Sequence, residues 1–326
     1  MKKNPANFIP LSPLSFLHRT ADVYGQHTSV IYENRAYTWS ESRERCVRIA
    51  SSLKSYGIKP GDTVSVLAFN TPEMFESHFS IPMAGAILNT INIRLDAATI
   101  AYIFDDSNAK MLFVDKELFA VASEALSMTS VSPKIVVIND SFAESQPDIS
   151  SDITDYESLV VNGDPLYNWQ MPDDEWSPLS LSYTSGTTGK PKGVVYHHRG
   201  SYLMSMGTVI GWSLPNHPVY LYSVPLFHCN GWGHAWTMAA IAGTIVCLRS
   251  FAPEKVFSLL EQHNVTHFGG APIMLNMLAN APKETQKYFE REIKVMTAGA
   301  PPPAKVLESM MKLGFNVMHV YGLTET

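Results

Sequence analysis

The chain has 326 residues, which is enough for two domains or one large one. With 45% hydrophobic and 17% charged residues it has a soluble globular composition, and a net charge of −6 argues against broad nucleic-acid binding. The three widely spaced cysteines predict reduced thiols in an intracellular compartment, and the most apolar stretch, 235–248, is too short and interrupted to span a bilayer.

The first 138 residues alternate between helical patterns and short apolar runs. The predicted helices begin at Ser12, Ser40, Pro72, Asp96 and Glu117, and the predicted strands are 28–33, 35–39, 63–68, 111–114 and 134–138. We expect Ser40 to cap its helix and Gly57 to end it. This alternation predicts a mostly parallel sheet that is covered on both faces.

An acidic segment follows. No Lys, Arg or His lies between Lys134 and Lys190, whereas Asp and Glu accumulate from Asp140 to Glu175. We interpret the segment as a solvated crossing between two lobes and assign it no chemistry. The predicted organisation is a first α/β lobe with its acidic linker at 1–170 and a second α/β lobe at 171–326.

The second lobe repeats the strand–helix rhythm. Its predicted strands are 219–224, 244–248, 265–268, 294–297 and 315–320, and its predicted helices are 198–212, one after Gly231, 253–263, 273–278 and 303–313. The two lobes are expected to be related doubly wound units. The crevice at the carboxyl ends of their strands is where such sheets bind ligands.

The most informative stretch is the loop at 183–193, Y-T-S-G-T-T-G-K-P-K-G, between two apolar runs. It holds four Ser or Thr hydroxyls, three glycines and two lysines, a composition suited to a polyanion. It is not a Walker A loop, because Pro191 follows Lys190 where Ser or Thr is required. From the residues alone, a mobile surface hairpin is an equally good interpretation.

The same stretch resembles the phosphate-loop signature of the adenylate-forming enzymes, which include acyl-CoA synthetases, luciferases and adenylation domains. Tyr321-Gly322-Leu323-Thr324-Glu325 resembles the second signature of that superfamily, Y-G-x-T-E. The sequence is most similar to the plant acyl-activating enzymes, a branch with peroxisomal short-chain, benzoate and cinnamate ligases. The resemblance implies the large N-terminal domain of such an enzyme, built from two doubly wound, mostly parallel lobes.

The implied activity is that of an ATP-dependent carboxylate–CoA ligase, which forms an acyl adenylate and then an acyl-CoA. ATP, Mg²⁺ and coenzyme A are the implied cofactors and co-substrates, a small carboxylic acid is the implied partner, and neither nucleic acid nor a membrane span is expected. Fatty-acid or phenylpropanoid metabolism, in the cytoplasm or the peroxisome, is the implied setting.

The resemblance also assigns residues to the nucleotide. Those implied to hold ATP are Thr184, Ser185, Gly186, Thr187, Thr188, Gly189, Lys190, Lys192, Gly299, Ala300, Pro301, Tyr321, Gly322 and Thr324. Tyr321 offers an aromatic face to the adenine. Glu325 is a hard oxygen ligand for Mg²⁺, beside the hydroxyl of Thr324. Which of Lys190 and Lys192 matters more stays open.

A third site is the segment 225–232, P-L-F-H-C-N-G-W. The family places an aromatic residue or His at this position, so His228 joins Thr324 and Glu325 as a catalytic candidate. The residues implied to line the acyl pocket are His228, Trp232, Gly269, Gly270, Ala271, Ala298 and Gly299. We interpret Cys229 as a packing residue and not as a nucleophile, because the sequence places no acidic or basic partner near it.

Family members continue beyond Y-G-x-T-E with a ribose-binding aspartate, a hinge and a small C-terminal lid domain. The resemblance therefore implies that this chain is a fragment or a truncated product. One alternative is a truncated, non-catalytic module that binds a nucleotide or a partner. Another is an unrelated phosphate-loop NTPase, which the missing Walker residues disfavour.

Overall fold

The computed structural model describes residues 2–4, 6–184 and 189–326. The helical segments are α1 (Leu14–Val23), α2 (Trp39–Ser55), α3 (Pro72–Met83), α4 (Ala97–Asp106), α5 (Phe119–Met128), α6 (Tyr156–Asn162), α7 (His198–Gly211), α8 (Cys229–Trp232), α9 (His234–Ala240), α10 (Pro253–Gln262), α11 (Pro272–Ala279) and α12 (Ala304–Lys312), with a 3-10 turn at Lys116–Leu118. The strands are β1 (Thr28–Tyr32), β2 (Arg35–Thr38), β3 (Thr63–Leu67), β4 (Ile87–Thr90), β5 (Ala109–Asp115), β6 (Lys134–Ile138), β7 (Thr154–Asp155), β8 (Pro178–Thr184), β9 (Lys192–His197), β10 (Val219–Tyr222), β11 (Thr244–Cys247), β12 (His267–Gly270), β13 (Ile293–Thr297) and β14 (Phe315–His319).

The strands form two seven-stranded sheets of the same design. The first sheet has the order β7-β6-β5-β3-β4-β8-β9, and the second has the order β14-β13-β12-β10-β11-β1-β2. In each sheet six strands are parallel, and the last is the antiparallel arm of an edge hairpin. The prediction of two related, mostly parallel, doubly wound units is confirmed. Their switch points lie between β3 and β5 and between β10 and β12.

Each sheet takes its edge hairpin from the other half of the chain. β1 pairs in parallel with β11, with Val30 opposite Ile245, and β8 pairs in parallel with β4, with Leu88 opposite Ser180. The predicted boundary between residues 170 and 171 therefore does not separate the sheets, and the strands beside the phosphate loop belong to the first sheet and not to the second. The hairpins pair with strands whose edges would otherwise expose unpaired backbone groups.

Local signals explain most element ends, with two corrections. The cap of α2 is Thr38 and not Ser40: Thr38 accepts a hydrogen bond from the Glu41 backbone N–H at 3.2 Å, and the Glu41 carboxylate accepts one from the Thr38 N–H at 2.7 Å. The acidic segment is not a plain crossing either. It contains β7 and α6, and α6 is capped by Asp155 and buries Leu159.

One continuous apolar core joins the two sheets. It includes Val64 of β3 and Tyr222 of β10, and it surrounds α3, in which every residue is buried. Among the described residues, none of the helices combines the length and the apolar character that crossing a membrane requires.

A buried ion cluster crosses from one sheet to the other. Arg249, which follows β11 of the second sheet, donates to Asp115 at 2.7 Å, to Asp140 at 2.9 Å and to Glu117 at 2.7 Å. The hydroxyl of Tyr32 also donates to Asp140, at 2.6 Å. Asp140, which the sequence placed in the acidic crossing, is therefore a buried structural residue.

Candidate active site

The predicted strand–loop–strand hairpin around the phosphate loop is present. β8 and β9 are antiparallel, and Thr184 lies opposite Lys192 where the loop begins and ends. Gly189 has a φ of +96° with open space around it, so the backbone adopts a conformation that favours glycine. Lys190 and Lys192 are both exposed, and the Lys190 ammonium lies 5.4 Å from the ring centre of Tyr102.

Four residues of the predicted phosphate site, Ser185, Gly186, Thr187 and Thr188, lie outside the described residues. Both described ends of the loop are at the carboxyl end of β8, which is the side of a parallel sheet where ligands bind. Lys190 and Lys192 lie beside this end of β8, and their contact with phosphates stays a prediction.

The segment after Phe227 forms an unusual turn. Five consecutive residues, 229–233, have φ values between 40° and 65°, so α8 is a left-handed turn and not an ordinary helix. Three of these residues are not glycine, and each left-handed non-glycine residue costs about 1–2 kcal/mol. The helix predicted after Gly231 begins beyond the turn, at His234.

Three separate segments meet beside this turn. The Tyr196 hydroxyl of β9 donates to the carbonyl oxygen of Thr324 at 2.6 Å, and the Thr324 hydroxyl lies 3.2 Å from the Cys229 thiol. The Nε2 atom of His228 is 3.8 Å from the same sulfur. The structure thus brings the catalytic candidates His228 and Thr324 together with the strand that leaves the phosphate loop.

This meeting point corrects the interpretation of Cys229 as a packing residue without a basic partner, because the His228 imidazole lies 3.8 Å from its sulfur. Cys229 is only partly buried and joins the turn to Thr324 of the Y-G-L-T-E segment. Burial nevertheless raises the pKa of its thiol, which opposes a role as a nucleophile. Tyr196 had no role in the sequence-based prediction, since nothing in a strand residue signals a partner 128 positions away.

Desolvation sets the protonation states around the turn. It lowers the pKa of His228, even though the imidazole stays accessible to solvent, so the neutral form prevails at pH 7. Burial raises the pKa of the Tyr196 hydroxyl, and the neighbouring Cys229 raises it further. Both groups are therefore neutral hydrogen-bonding groups at pH 7.

The adenine candidates are exposed. Tyr321 is 84% exposed, and Gly299, Ala300 and Pro301 are exposed after β13. Gly299 has a φ of +100°, and no atom lies within 4 Å of the position that a Cβ would take there, so its backbone is open to a ligand.

The residues predicted for the acyl pocket follow neighbouring strands. Gly269 and Gly270 are the last residues of β12 and pair with Met296 and Thr297 of β13. Ala271 directly follows β12, and Ala298 directly follows β13. A side chain at Gly269 would meet Val224 at 2.7 Å and the Trp232 ring at 3.4 Å. Gly269 and Trp232 are therefore direct neighbours, and their part in an acyl pocket stays a prediction.

A cavity of about 380 Å³ lies at the carboxyl ends of the strands near both switch points. Its walls include Asn70, Phe227, Arg249 and Met274, whereas none of the predicted acyl-pocket residues lines it. Phe227 precedes His228, so this cavity is adjacent to the predicted site and distinct from it.

The described residues contain no group of three or more His, Cys, Asp or Glu side chains arranged to hold a metal ion. Glu325 is exposed, with the Thr324 hydroxyl beside it in sequence. One exposed carboxylate fits Mg²⁺ that is held mainly by substrate phosphates and water, which is the usual arrangement for this ion.

Comparison with known proteins identifies relatives of the chain. The family model described as AMP-binding enzyme matches residues 17–326, which rules out the alternative of an unrelated phosphate-loop NTPase. A 2-methylpropanoate–CoA ligase of Humulus lupulus is 47% identical over 334 residues, covering 100% of this chain and 59% of that protein. A peroxisomal acetate/butyrate–CoA ligase of Arabidopsis thaliana is 44% identical over 337 residues. That alignment covers 100% of this chain and 59% of the ligase.

A solved structure supports the fold. The O-succinylbenzoate–CoA synthetase of Bacillus subtilis, in complex with ATP and magnesium ion, matches with a TM-score of 0.80 at 23% identity, over 97% of this chain and 60% of that chain. The chain thus spans about three fifths of the length of the relatives that it matches.

Proposed function

The chain belongs to the family of AMP-binding enzymes, and we propose that it carries the nucleotide and carboxylate site of an ATP-dependent carboxylate–CoA ligase. Such an enzyme joins a carboxylate to the α-phosphate of ATP and releases pyrophosphate. It then transfers the acyl group from the adenylate to the thiol of coenzyme A and releases AMP. The observation that carries the proposal is the contact of Thr324 with both Tyr196 and Cys229. This contact joins the second signature to the phosphate-loop hairpin and to the His228 turn.

The triphosphate end of the site is formed by the hairpin. Lys190 and Lys192 are exposed at the loop and supply the positive charge that ATP requires. The loop residues from Ser185 to Thr188 stay a prediction from the resemblance, in which their N–H and hydroxyl groups donate to the β- and γ-phosphates.

Thr324 and Glu325 act at the α-phosphate. The Tyr196 bond fixes the Thr324 carbonyl, which leaves the Thr324 hydroxyl near the turn to reach a phosphate oxygen. Mg²⁺, when bound, neutralises phosphate charge, and the Glu325 carboxylate would be its protein ligand. Positioning and charge stabilisation are the main contributions that a protein makes to transfer at phosphorus.

His228 lies between the nucleotide and the acyl group. Its lowered pKa keeps the imidazole neutral at pH 7, so one ring N–H can donate a hydrogen bond. We assign that bond to the charge that develops as the carboxylate attacks phosphorus. A preorganised donor of this kind contributes on the order of 10²–10³ in rate.

The adenine and acyl ends complete the assignment. The exposed ring of Tyr321 and the open backbone at Gly299, Ala300 and Pro301 hold the adenine. We assign the acyl group to the surface beside Trp232, Gly269 and Gly270, with the alanines that directly follow β12 and β13.

We further propose short-chain carboxylic acids as the substrates, because relatives at 47% and 44% identity are named for 2-methylpropanoate and for acetate and butyrate. The peroxisome is the proposed compartment on the same basis, since one of these relatives is named peroxisomal. An N-terminally tagged protein that stays outside peroxisomes would contradict that location.

The activity is tested by two measurements on the purified protein. Calorimetric titration with Mg·ATP tests the nucleotide site, and ATP–pyrophosphate exchange with a panel of acids from acetate to cinnamate tests adenylation. We expect Mg·ATP binding and exchange that depends on a short-chain acid. Absence of Mg·ATP binding, or of exchange with every acid in the panel, would refute the assignment.

A further inference from the structure

The left-handed turn at 229–233 needs an external restraint. Isolated left-handed residues are uncommon, and a run of them is unfavourable for any sequence of L-amino acids. Here Cys229, Asn230 and Trp232 all adopt this conformation, and two backbone bonds, Gly231 N–H to His228 O at 2.8 Å and Gly233 N–H to Asn230 O at 3.1 Å, close the turn. Strain of this kind persists only where the surrounding structure holds it.

The first sheet holds the turn through one buried amide. Asn230 is fully buried; its Oδ1 accepts from the Ser180 hydroxyl at 2.6 Å, and its Nδ2 donates to the Thr90 hydroxyl at 2.9 Å. Thr90 in turn donates to the carbonyl oxygen of Phe227 at 2.8 Å. These three hydrogen bonds form one chain, in which each group donates to the next. The chain runs from Ser180 in β8 through Asn230 and Thr90 in β4 to the carbonyl of Phe227, before the turn.

The second sheet holds the turn from the other side. The hydroxyl of Tyr222 in β10 donates to the Gly231 carbonyl at 2.7 Å. A side chain at Gly231 would lie 2.3 Å from that hydroxyl, so the approach is possible only for glycine. The turn is therefore fixed between the two sheets.

We propose that Asn230 is a positioning residue: its amide, held by Ser180 and Thr90, fixes the left-handed turn that presents His228 and Cys229 to Thr324. The catalytic consequence rests on the proposed function, because it assumes that His228 and Thr324 act on ATP and a carboxylate. The structural part, that the Asn230 bonds hold the turn, does not depend on that function.

The structural part is tested by alkylation of the native protein with iodoacetamide, measured for each cysteine by mass spectrometry. Cys229 is partly buried, whereas Cys46 and Cys247 are buried and serve as internal reporters of global unfolding. Thr90→Val removes the hydroxyl but keeps the shape, and we expect it to accelerate alkylation of Cys229 about tenfold. The Thr90 hydroxyl makes two hydrogen bonds, and a factor of about ten is what even one net hydrogen bond contributes to a local opening equilibrium.

Two matched variants control for fold and for shape. Thr90→Ser keeps the hydroxyl, so Cys229 in this variant should be alkylated at the wild-type rate. Thr20→Val removes another buried hydroxyl, which donates to the Ala239 carbonyl at 2.6 Å, and should leave the rate at Cys229 unchanged. Equal rates at Cys229 in Thr90→Val and wild type, or faster alkylation of all three cysteines, would overturn the proposal.

The catalytic part is tested by adenylation kinetics on the same variants. We expect Thr90→Val and Asn230→Ala to lower kcat about tenfold or more, while KM for ATP changes by less than about twofold. Thr90→Ser, which keeps the hydroxyl, should have the kcat of the wild type. An unchanged kcat in a variant with an exposed Cys229 would overturn the positioning role. A wild-type protein without adenylation would instead refute the proposed function, and the alkylation result would still decide whether Asn230 holds the turn.

Discussion

Replacement of Arg249 by Met should destabilise the fold more than any surface substitution. The side chain is 4% exposed, and it donates to Asp115 and Asp140, which are 0% and 1% exposed. Its guanidinium also lies 4.0 Å from the ring centre of Phe69. Met keeps an unbranched apolar side chain for the contact with Phe69, so the main loss is the positive charge and its hydrogen bonds.

The magnitude follows from what the substitution leaves behind. Two carboxylates would stay buried without their cation, and removal of one partner from a buried ion pair costs about 3–5 kcal/mol. The third partner, Glu117, is 20% exposed and adds less, because solvent screens it. Since domains unfold with about 5–15 kcal/mol, the predicted loss is about a third or more of a typical total.

The loss should also depend on pH. Burial raises the pKa of Asp115 in the folded protein, and Arg249 opposes that rise, so the pKa climbs further in Arg249→Met. A carboxyl whose folded pKa lies above its unfolded pKa penalises folding at high pH, and the penalty fades as the pH falls through the folded pKa. The difference in unfolding free energy between variant and wild type should therefore shrink from pH 7 to pH 5.

Urea unfolding, followed by tryptophan fluorescence and extrapolated linearly to water, measures the effect. Arg43→Met is the matched control, because Arg43 pairs with Asp22, which is 52% exposed, and an exposed pair contributes about 0–1 kcal/mol. A loss below about 1 kcal/mol in Arg249→Met at pH 7, or a loss that grows toward pH 5, would refute this account of the cluster.

Three further substitutions test the site. Glu325→Gln should raise the Mg²⁺ concentration for half-maximal adenylation at least about tenfold. Because Glu325 is exposed, the free energy of unfolding should change by less than about 0.5 kcal/mol. An unchanged Mg²⁺ dependence would remove Glu325 from the site. His228→Ala should lower kcat by about 10²–10³ and affect KM for ATP less, whereas a change in acyl preference alone would make His228 a pocket wall. Gly231→Ala should lower the free energy of unfolding in urea by about 2–4 kcal/mol, because it combines a left-handed φ with a clash against Tyr222. The control Gly207→Ala, in open space on α7, should be neutral or stabilising.

The sequence predicted which segments become strands and helices better than it predicted how they join. Apolar runs located β3, β6 and β13 to within a residue, because burial on both faces leaves a continuous apolar pattern. The pattern does not identify the neighbour of a strand. The transfer of β8 to the first sheet was therefore missed, although β8 itself was expected.

Within the site, motif residues were predictable and their contacts were not. The phosphate loop and Y-G-L-T-E are contiguous in sequence, so the resemblance could assign them directly. The contact of Tyr196 with Thr324 joins residues 128 positions apart, and no local pattern encodes it. The left-handed turn did leave a signal in the Asn230-Gly231 pair, since Asn and Gly are the residues that best tolerate positive φ.

The exchange of hairpins between the sheets explains why the site lies where it does. Pairing of β8 with β4 sets Ser180 opposite Leu88, two residues before Thr90, so both hydroxyls reach the amide of Asn230. The same pairing places Thr184 and Lys192, which flank the phosphate loop, on the side of the sheet where the turn lies. Had residues 178–197 joined the second sheet, as the sequence suggested, Asn230 would have lost its partner in β8. The topology that brings the lysines to the site is therefore also what allows the strained turn to form.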